Sequence, residues 1–288
     1  MRLAILPGMP PIEPDIEVIR DRLRRAGDVR KSIGALWKEY LYRLPRRCDL
    51  IPDAEHAGRW SLVINTVEPL PVRISTLFGE WLYLLRASLD GAAYYVAVRD
   101  SGQNPPPNER RIYFPIKTDP AKYDSQGHRE ALKAFSDATF ADLRVCQPFN
   151  AEPDHKANVL WWIEELARID RHRRGHALAV HIVKMRVGLE PPLALVTNHL
   201  AELGKGRVPI DETSPMRLLD IEAPVGFDQL DVKEHMDISD ATESALDVTE
   251  WVANASPPMT TTDLGDRMYI CETILAEEII EPFISGDT

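Results

Sequence analysis

Between residues 15 and 44 the apolar positions Ile16, Ile19, Leu23, Ala26, Ile33, Trp37, Tyr40 and Leu44 recur at helical spacings, with only Arg30 out of pattern. That rhythm predicts one long helix from about Asp15 to Leu44 that offers a seam to a partner helix. Pro14 is tolerated at its start and Pro45 stops it, while Gly27 and Gly34 are places for a bend. Arg59 to Val67 alternates apolar and polar residues as a strand does, and Pro69 and Pro71 close it. Residues 74 to 98 are apolar almost throughout, which marks a helix surrounded by others, the centre of a bundle.

The Pro, Asn and Gly residues of Ser101 to Arg111 predict an exposed loop, and Ile112 to Ile116 a short extended segment. Amphipathic helices follow near Gln126 to Phe135, Asp137 to Cys146 and His155 to Arg173, the last carrying Leu160, Ile163, Leu166 and Ile169 inward. Beyond Gly175 the period changes: Ala177 to Val187, Leu193 to Thr197, Met216 to Ile221, Val232 to Ile238 and Leu246 to Trp251 read as strands of a small antiparallel sheet. A final helix spans about Thr262 to Ile280, capped by the run Thr260 to Asp263. The fold class expected is α+β, a helical bundle with a small antiparallel β-sheet and a C-terminal helix. Residues 1–175 form the helical part and 176–288 the sheet and last helix, packed as one unit with the bundle.

With 288 residues, 44% of them hydrophobic, the chain can bury a substantial core without covalent staples. Cys48, Cys146 and Cys271 are too few for a disulfide framework, and no two stand at a metal-ligand spacing, which fits a reducing cytoplasm. No apolar run reaches membrane-spanning length, and Pro7 interrupts the N-terminal apolar stretch before it resembles a signal peptide. The net charge of −11 argues against a surface that grips nucleic acid everywhere. Charge is unevenly placed, however: Arg20, Arg22, Arg24, Arg25, Arg30 and Lys31 make the first helix basic, with Arg43, Arg46 and Arg47 at its end, and Asp211 to Asp287 is strongly acidic. A basic face on an acidic protein is therefore open, beside the ordinary reading of a solvated face of mixed charge.

Candidate chemistry begins with a polar stripe on the apolar central helix. Tyr83, Arg86, Asp90 and Tyr94 fall on one face, and Asp170, Arg171, His172 and Arg173 follow some eighty residues later. A buried Arg or Asp is costly without a partner, so the two groups are expected to meet. Such a cluster of Arg86, Asp90, Asp170, His172 and Arg173 is a candidate catalytic site. The structural alternative is that Arg86 and Asp90 neutralise one another and fix packing.

The pieces Gly79-Glu80-Trp81-Leu82-Tyr83-Leu84-Leu85-Arg86-Ala87-Ser88-Leu89-Asp90, Phe114-Pro115-Ile116, Gln147-Pro148-Phe149 and Asp170-Arg171-His172-Arg173 resemble, in order and rough spacing, a family of uncharacterised bacterial proteins. In that family the corresponding motifs read LRSALDH, FPI, QPY and DKHR. The family's Arg-x4-His is loosely similar to HEPN-type helical proteins, many of them metal-independent ribonucleases that work as dimers. Gly91 stands where the family carries His, so the first motif lacks its proton-transfer group.

Three readings follow. The first is a HEPN-like, RNA-directed protein, either a metal-independent endoribonuclease or an inactive relative; the resemblance then implies Arg86 and Arg173 as cations that stabilise phosphate charge, His172 as acid/base and Asp90 or Asp170 as its orienter. The second is a non-catalytic module that dimerises through the N-terminal helix or binds a protein partner. The third is a small-ligand or metal-dependent enzyme, for which Asp170, His172, His176 and His181 are the candidate ligands, without the Glu of a zinc-protease motif. No phosphate-binding glycine loop, nucleophile elbow or cofactor motif is present, so no cofactor is expected.

Overall fold

The computed structural model describes residues 16–172, 178–200, 208–238, 242–248, 256 and 263–286, the side chains of Arg171, His172 and Thr242 excepted. The fold is α+β with antiparallel sheets and a C-terminal helix. It divides into two compact units whose segments interleave along the chain. The first unit takes residues 1–31, 77–175 and 255–288, and the second takes 32–76 and 176–254. The chain thus passes between units at residue 175, but the last helix belongs to the first unit and the hairpin before residue 76 to the second.

In the first unit the leading half of α1 (Ile16–Tyr42), expected from periodicity, meets most of α2 (Val72–Ser101), expected from its nearly continuous apolar run. Neither Gly27 nor Gly34 interrupts α1. Ile19, Ala26 and Val29 are buried, so within this unit the seam is filled by the chain itself. α2 is central, burying Phe78, Trp81, Leu82, Leu85, Leu89, Ala92, Ala93 and Val96. Small residues let α1 approach it: Arg22 Nη1 donates to the Ala87 carbonyl at 3.0 Å, and Ser88 Oγ lies against the Ile19 carbonyl. The short helices α3 (Pro120–Tyr123), α4 (Gln126–Ala131) and α5 (Asp137–Val145) are each capped by a side-chain oxygen, from Asp119, Ser125 and Ser136. α6 (Val159–His172) then places Trp162 on Phe78 and Trp81.

The last helix has a feature that hydrophobic spacing did not reveal. α8 (Leu264–Thr273) runs through a π-helical stretch, Ile274–Ile280, into α9 (Glu281–Ser285). Glu272 and Glu281 are nine residues apart, about two and a half α-turns, which in a regular helix would put them on opposite faces. The wider π turn brings both to α1. Glu281 accepts from Arg20 Nε and Nη2, each at 2.9 Å, and Glu272 accepts from Arg30 Nε at 2.9 Å and from Trp81 Nε1 at 2.8 Å. Arg99 closes the other end, donating to the Phe283 and Ile284 carbonyls.

The second unit is built on a four-stranded antiparallel sheet in the order β1 (Arg46–Pro52), β2 (Arg59–Thr66), β7 (Met216–Glu222), β5 (Ala194–Asn198). β1 carries charges at Arg46, Arg47 and Asp49 and does not alternate, so it escaped the pattern reading. A second sheet has the order β6 (Val208–Pro209), β3 (Leu178–Met185), β9 (Thr242–Val248). The strand expected over Val232 to Ile238 begins instead within α7 (Gln229–Glu234), because Asp228 and Asp231 form a reciprocal capping box, and only β8 (Met236–Asp237) pairs, with β4 (Gly188–Leu189). Leu50, Trp60, Leu62, Ile64, Val180, Ile182, Leu218 and Ile221 form this unit's core.

Candidate functional site

Helical spacing puts Arg86 and Asp90 on one face of α2, and there they pair, Arg86 Nη2 lying 3.1 Å from Asp90 Oδ1. Both also reach one residue of the extended segment after the loop. Arg86 Nη2 donates to the Phe114 carbonyl at 3.0 Å, and the Phe114 amide donates to Asp90 Oδ1 at 3.0 Å. The two side chains thus satisfy the main chain of Phe114 on both sides, as a neighbouring strand would. Phe114 itself is fully buried and packs edge-on against Phe283.

Arg86 has a third partner that the sequence did not single out. Its Nη1 lies 3.2 Å from Glu164 Oε2 of α6, an ion pair without hydrogen-bond alignment whose two atoms are both shut away from solvent. The Arg86 side chain is only 11% exposed. Its surroundings therefore hold one cation and two carboxylates, a local formal charge of −1.

Gln147 completes the fastening. Fully buried, it donates from Nε2 to the Pro115 carbonyl at 2.9 Å and to the Leu143 carbonyl at 2.8 Å, and its Oε1 accepts from the Lys117 amide at 2.8 Å. The sequence offered Gln147 only as part of a motif, and the structure makes it the second clasp on the same segment. Beside it, burial pushes the Cys146 thiol up to about 12, so the sulfur stays protonated and unreactive.

The other motif residues lie elsewhere. Asp170 rests its carboxylate against the backbone of α2 at Gly79, where a Cβ would stand 2.9 Å from Oδ2. A side chain at position 79 would collide with it. Gly79 is about two helical turns before Arg86, and Asp170 makes no ion pair among the described residues. The side chain of His172 and the whole of Arg173, like His176, lie outside the described residues. Tyr83 is 65% exposed and takes no part in the cluster, while Tyr94 is half-buried and its hydroxyl is pushed up by burial. Gly91 points away from Arg86, toward α1: a Cβ there would meet Ile19 Cγ1 at 3.3 Å and Arg22 Nη1 at 3.4 Å. Glycine at 91 is thus explained by helix packing.

Among the described residues the metal and nucleophile readings find little to work with. Among the described residues no three His, Cys, Asp or Glu side chains come together in a way that could hold a metal ion. His181 is buried in the second unit with Nδ1 at 3.1 Å from the Ala179 carbonyl. Periodicity did not foresee one polar cluster in that unit, in which Ser61 Oγ donates to Asp220 Oδ1 and His199 Nε2 meets Asp220 Oδ2, both at 2.7 Å. Burial acts to raise the Asp220 carboxyl, but the Ser61 and His199 hydrogen bonds outweigh it and hold the group below the usual carboxylate range. The serine is bonded to the carboxylate and not to the imidazole, so nothing activates it as a nucleophile.

Compared with protein-family models, with curated proteins and with solved structures, the chain matches none.

Proposed function

We propose that this chain is a non-catalytic binding module. One observation carries the reading: Arg86, the cation that a phosphate-cleaving site would need, is engaged inside the fold by Asp90, Glu164 and the Phe114 carbonyl. A phosphate approaching it would have to displace one of its two carboxylate partners, and the Nη1 atom facing Glu164 is shut away from solvent. On this reading Arg86, Asp90 and Gln147 exist to hold residues 114–117 in place. Because Ile19, Ala26 and Val29 of α1 are buried within the first unit, partner contact falls on a surface other than that part of the seam.

The test is incubation of the wild-type protein, His172→Ala and Gly91→His with total RNA and transfer RNA in EDTA, followed by gel electrophoresis. No cleavage is expected from any of the three, the Gly91→His protein included, because position 91 faces α1. Cleavage by the wild type that disappears in His172→Ala would overturn the reading in favour of a metal-independent ribonuclease.

A further inference from the structure

Five of the six cations that make the start of the first helix basic are paired within the first unit. There Arg20 pairs with Glu17 and Glu281, Arg24 with Asp21, Arg25 with Glu80, Arg30 with Glu272 and Lys31 with Asp28. Arg99, Arg129, Arg144 and Arg168 also have carboxylate partners. In this unit, Arg22 and Lys156 aside, the described cations outside the core that lack one gather in a single stretch. Among the described residues Arg110, Arg111, Lys117 and Lys122 make no ion pair, and all lie within thirteen consecutive residues. Arg110, Arg111 and Lys122 are exposed, and the Lys117 ammonium sits over the ring of half-buried Tyr113, 5.7 Å from its centre.

This segment is the one that Arg86, Asp90 and Gln147 fasten at Phe114, Pro115 and Lys117. A loop without strand partners is thereby held in one conformation before any ligand arrives, which lowers the ordering cost of binding. Arg111 and Lys117 are six residues apart, a span of at most about 20 Å. A linear row of uncompensated cations around an aromatic ring fits a chain of evenly spaced negative charges with planar groups between them. We propose that Arg110, Arg111 and Lys117, set around Tyr113, form a surface that binds single-stranded nucleic acid through its phosphodiester backbone. The proposal rests on the non-catalytic reading above and supplies its partner.

The experiment is fluorescence anisotropy with a labelled single-stranded RNA of about ten nucleotides, at about 50 mM and about 200 mM salt. Three cation contacts predict a slope of about −2 in log affinity against log salt, so binding weakens roughly twentyfold between the two conditions. Arg110→Ala/Arg111→Ala leaves one contact, a slope of about −0.7 and a change of about threefold. Both residues are exposed, so thermal unfolding of this variant should match the wild type. Absence of binding at about 100 μM wild-type protein, an unchanged slope in the double variant, or equal affinity for an acidic peptide would overturn the proposal. A gel of the same samples separates the two claims. Shortened RNA whose binding still depends on Arg110 and Arg111 would keep this surface and sink the non-catalytic reading. Intact but unbound RNA would do the reverse.

Discussion

Replacing Gln147 by alanine is expected to destabilise the first unit by about 3–4 kcal/mol, the largest effect of any single substitution in the clasp. The side chain is fully buried and answers three main-chain groups, the Lys117 amide and the Pro115 and Leu143 carbonyls. Alanine takes a partner from all three, leaving the Leu143 carbonyl only the Cys146 thiol, in a place water reaches poorly, and adds a cavity. Urea denaturation followed by tryptophan fluorescence gives the size of the loss, with Trp81 and Trp162 buried in this unit as reporters. Gln147→Glu separates packing from hydrogen bonding, because an ionised carboxylate has the right volume but cannot donate to the two carbonyls. It should therefore be about as unstable as alanine at neutral pH. A Gln147→Ala protein as stable as the wild type would mean that the segment is held by other means.

Arg86→Ala is expected to cost about 2–3 kcal/mol. Breaking a buried pair by removing one partner costs about 3–5 kcal/mol. The lower figure applies because the Asp90 and Glu164 side chains are 41% and 34% exposed, so solvent screens part of the charge left behind. The Phe114 carbonyl also loses its donor. Lysine in the same place keeps the charge but offers one ammonium where the guanidinium reaches three acceptors, so Arg86→Lys should recover only part of the stability. The same denaturation series checks both variants. A catalytic Arg86 would behave differently: its removal would leave stability nearly unchanged.

The two long helices were legible because each has a strong local cause. The apolar positions of α1 recur at the helical period and it ends at Tyr42, just before Pro45, while α2 is apolar almost throughout. The pairing of Arg86 with Asp90 follows from the same geometry, four residues apart on one face. What the pair holds was not legible, because a main-chain amide and carbonyl look alike at every position and nothing in the letters marks Phe114 as their partner. Glu164 was hidden for a related reason: on an amphipathic helix an acidic residue reads as solvated unless the neighbouring helix is known. Gly91 shows the opposite error. Read along the chain it is a missing histidine beside Asp90, while in three dimensions it is the place where α1 packs. The charge asymmetry could not be resolved along the chain either, since two of the acidic partners of α1, Glu272 and Glu281, come from residues more than two hundred positions away.

The account stands on one claim, that the polar residues of α2 and Gln147 fasten the segment around Phe114. Native-state amide hydrogen exchange tests it most directly, read at Phe114 and Lys117 in the wild type, Asp90→Ala and Gln147→Ala. Neither amide belongs to a helix or a strand, so protection there has to come from the Asp90 carboxylate and the Gln147 carbonyl oxygen. Slow exchange at both amides in the wild type, with Phe114 released in Asp90→Ala and Lys117 in Gln147→Ala, is the expected result. Fast exchange at both positions in the wild type would contradict the claim, and would leave Arg86 and Asp90 free for another purpose.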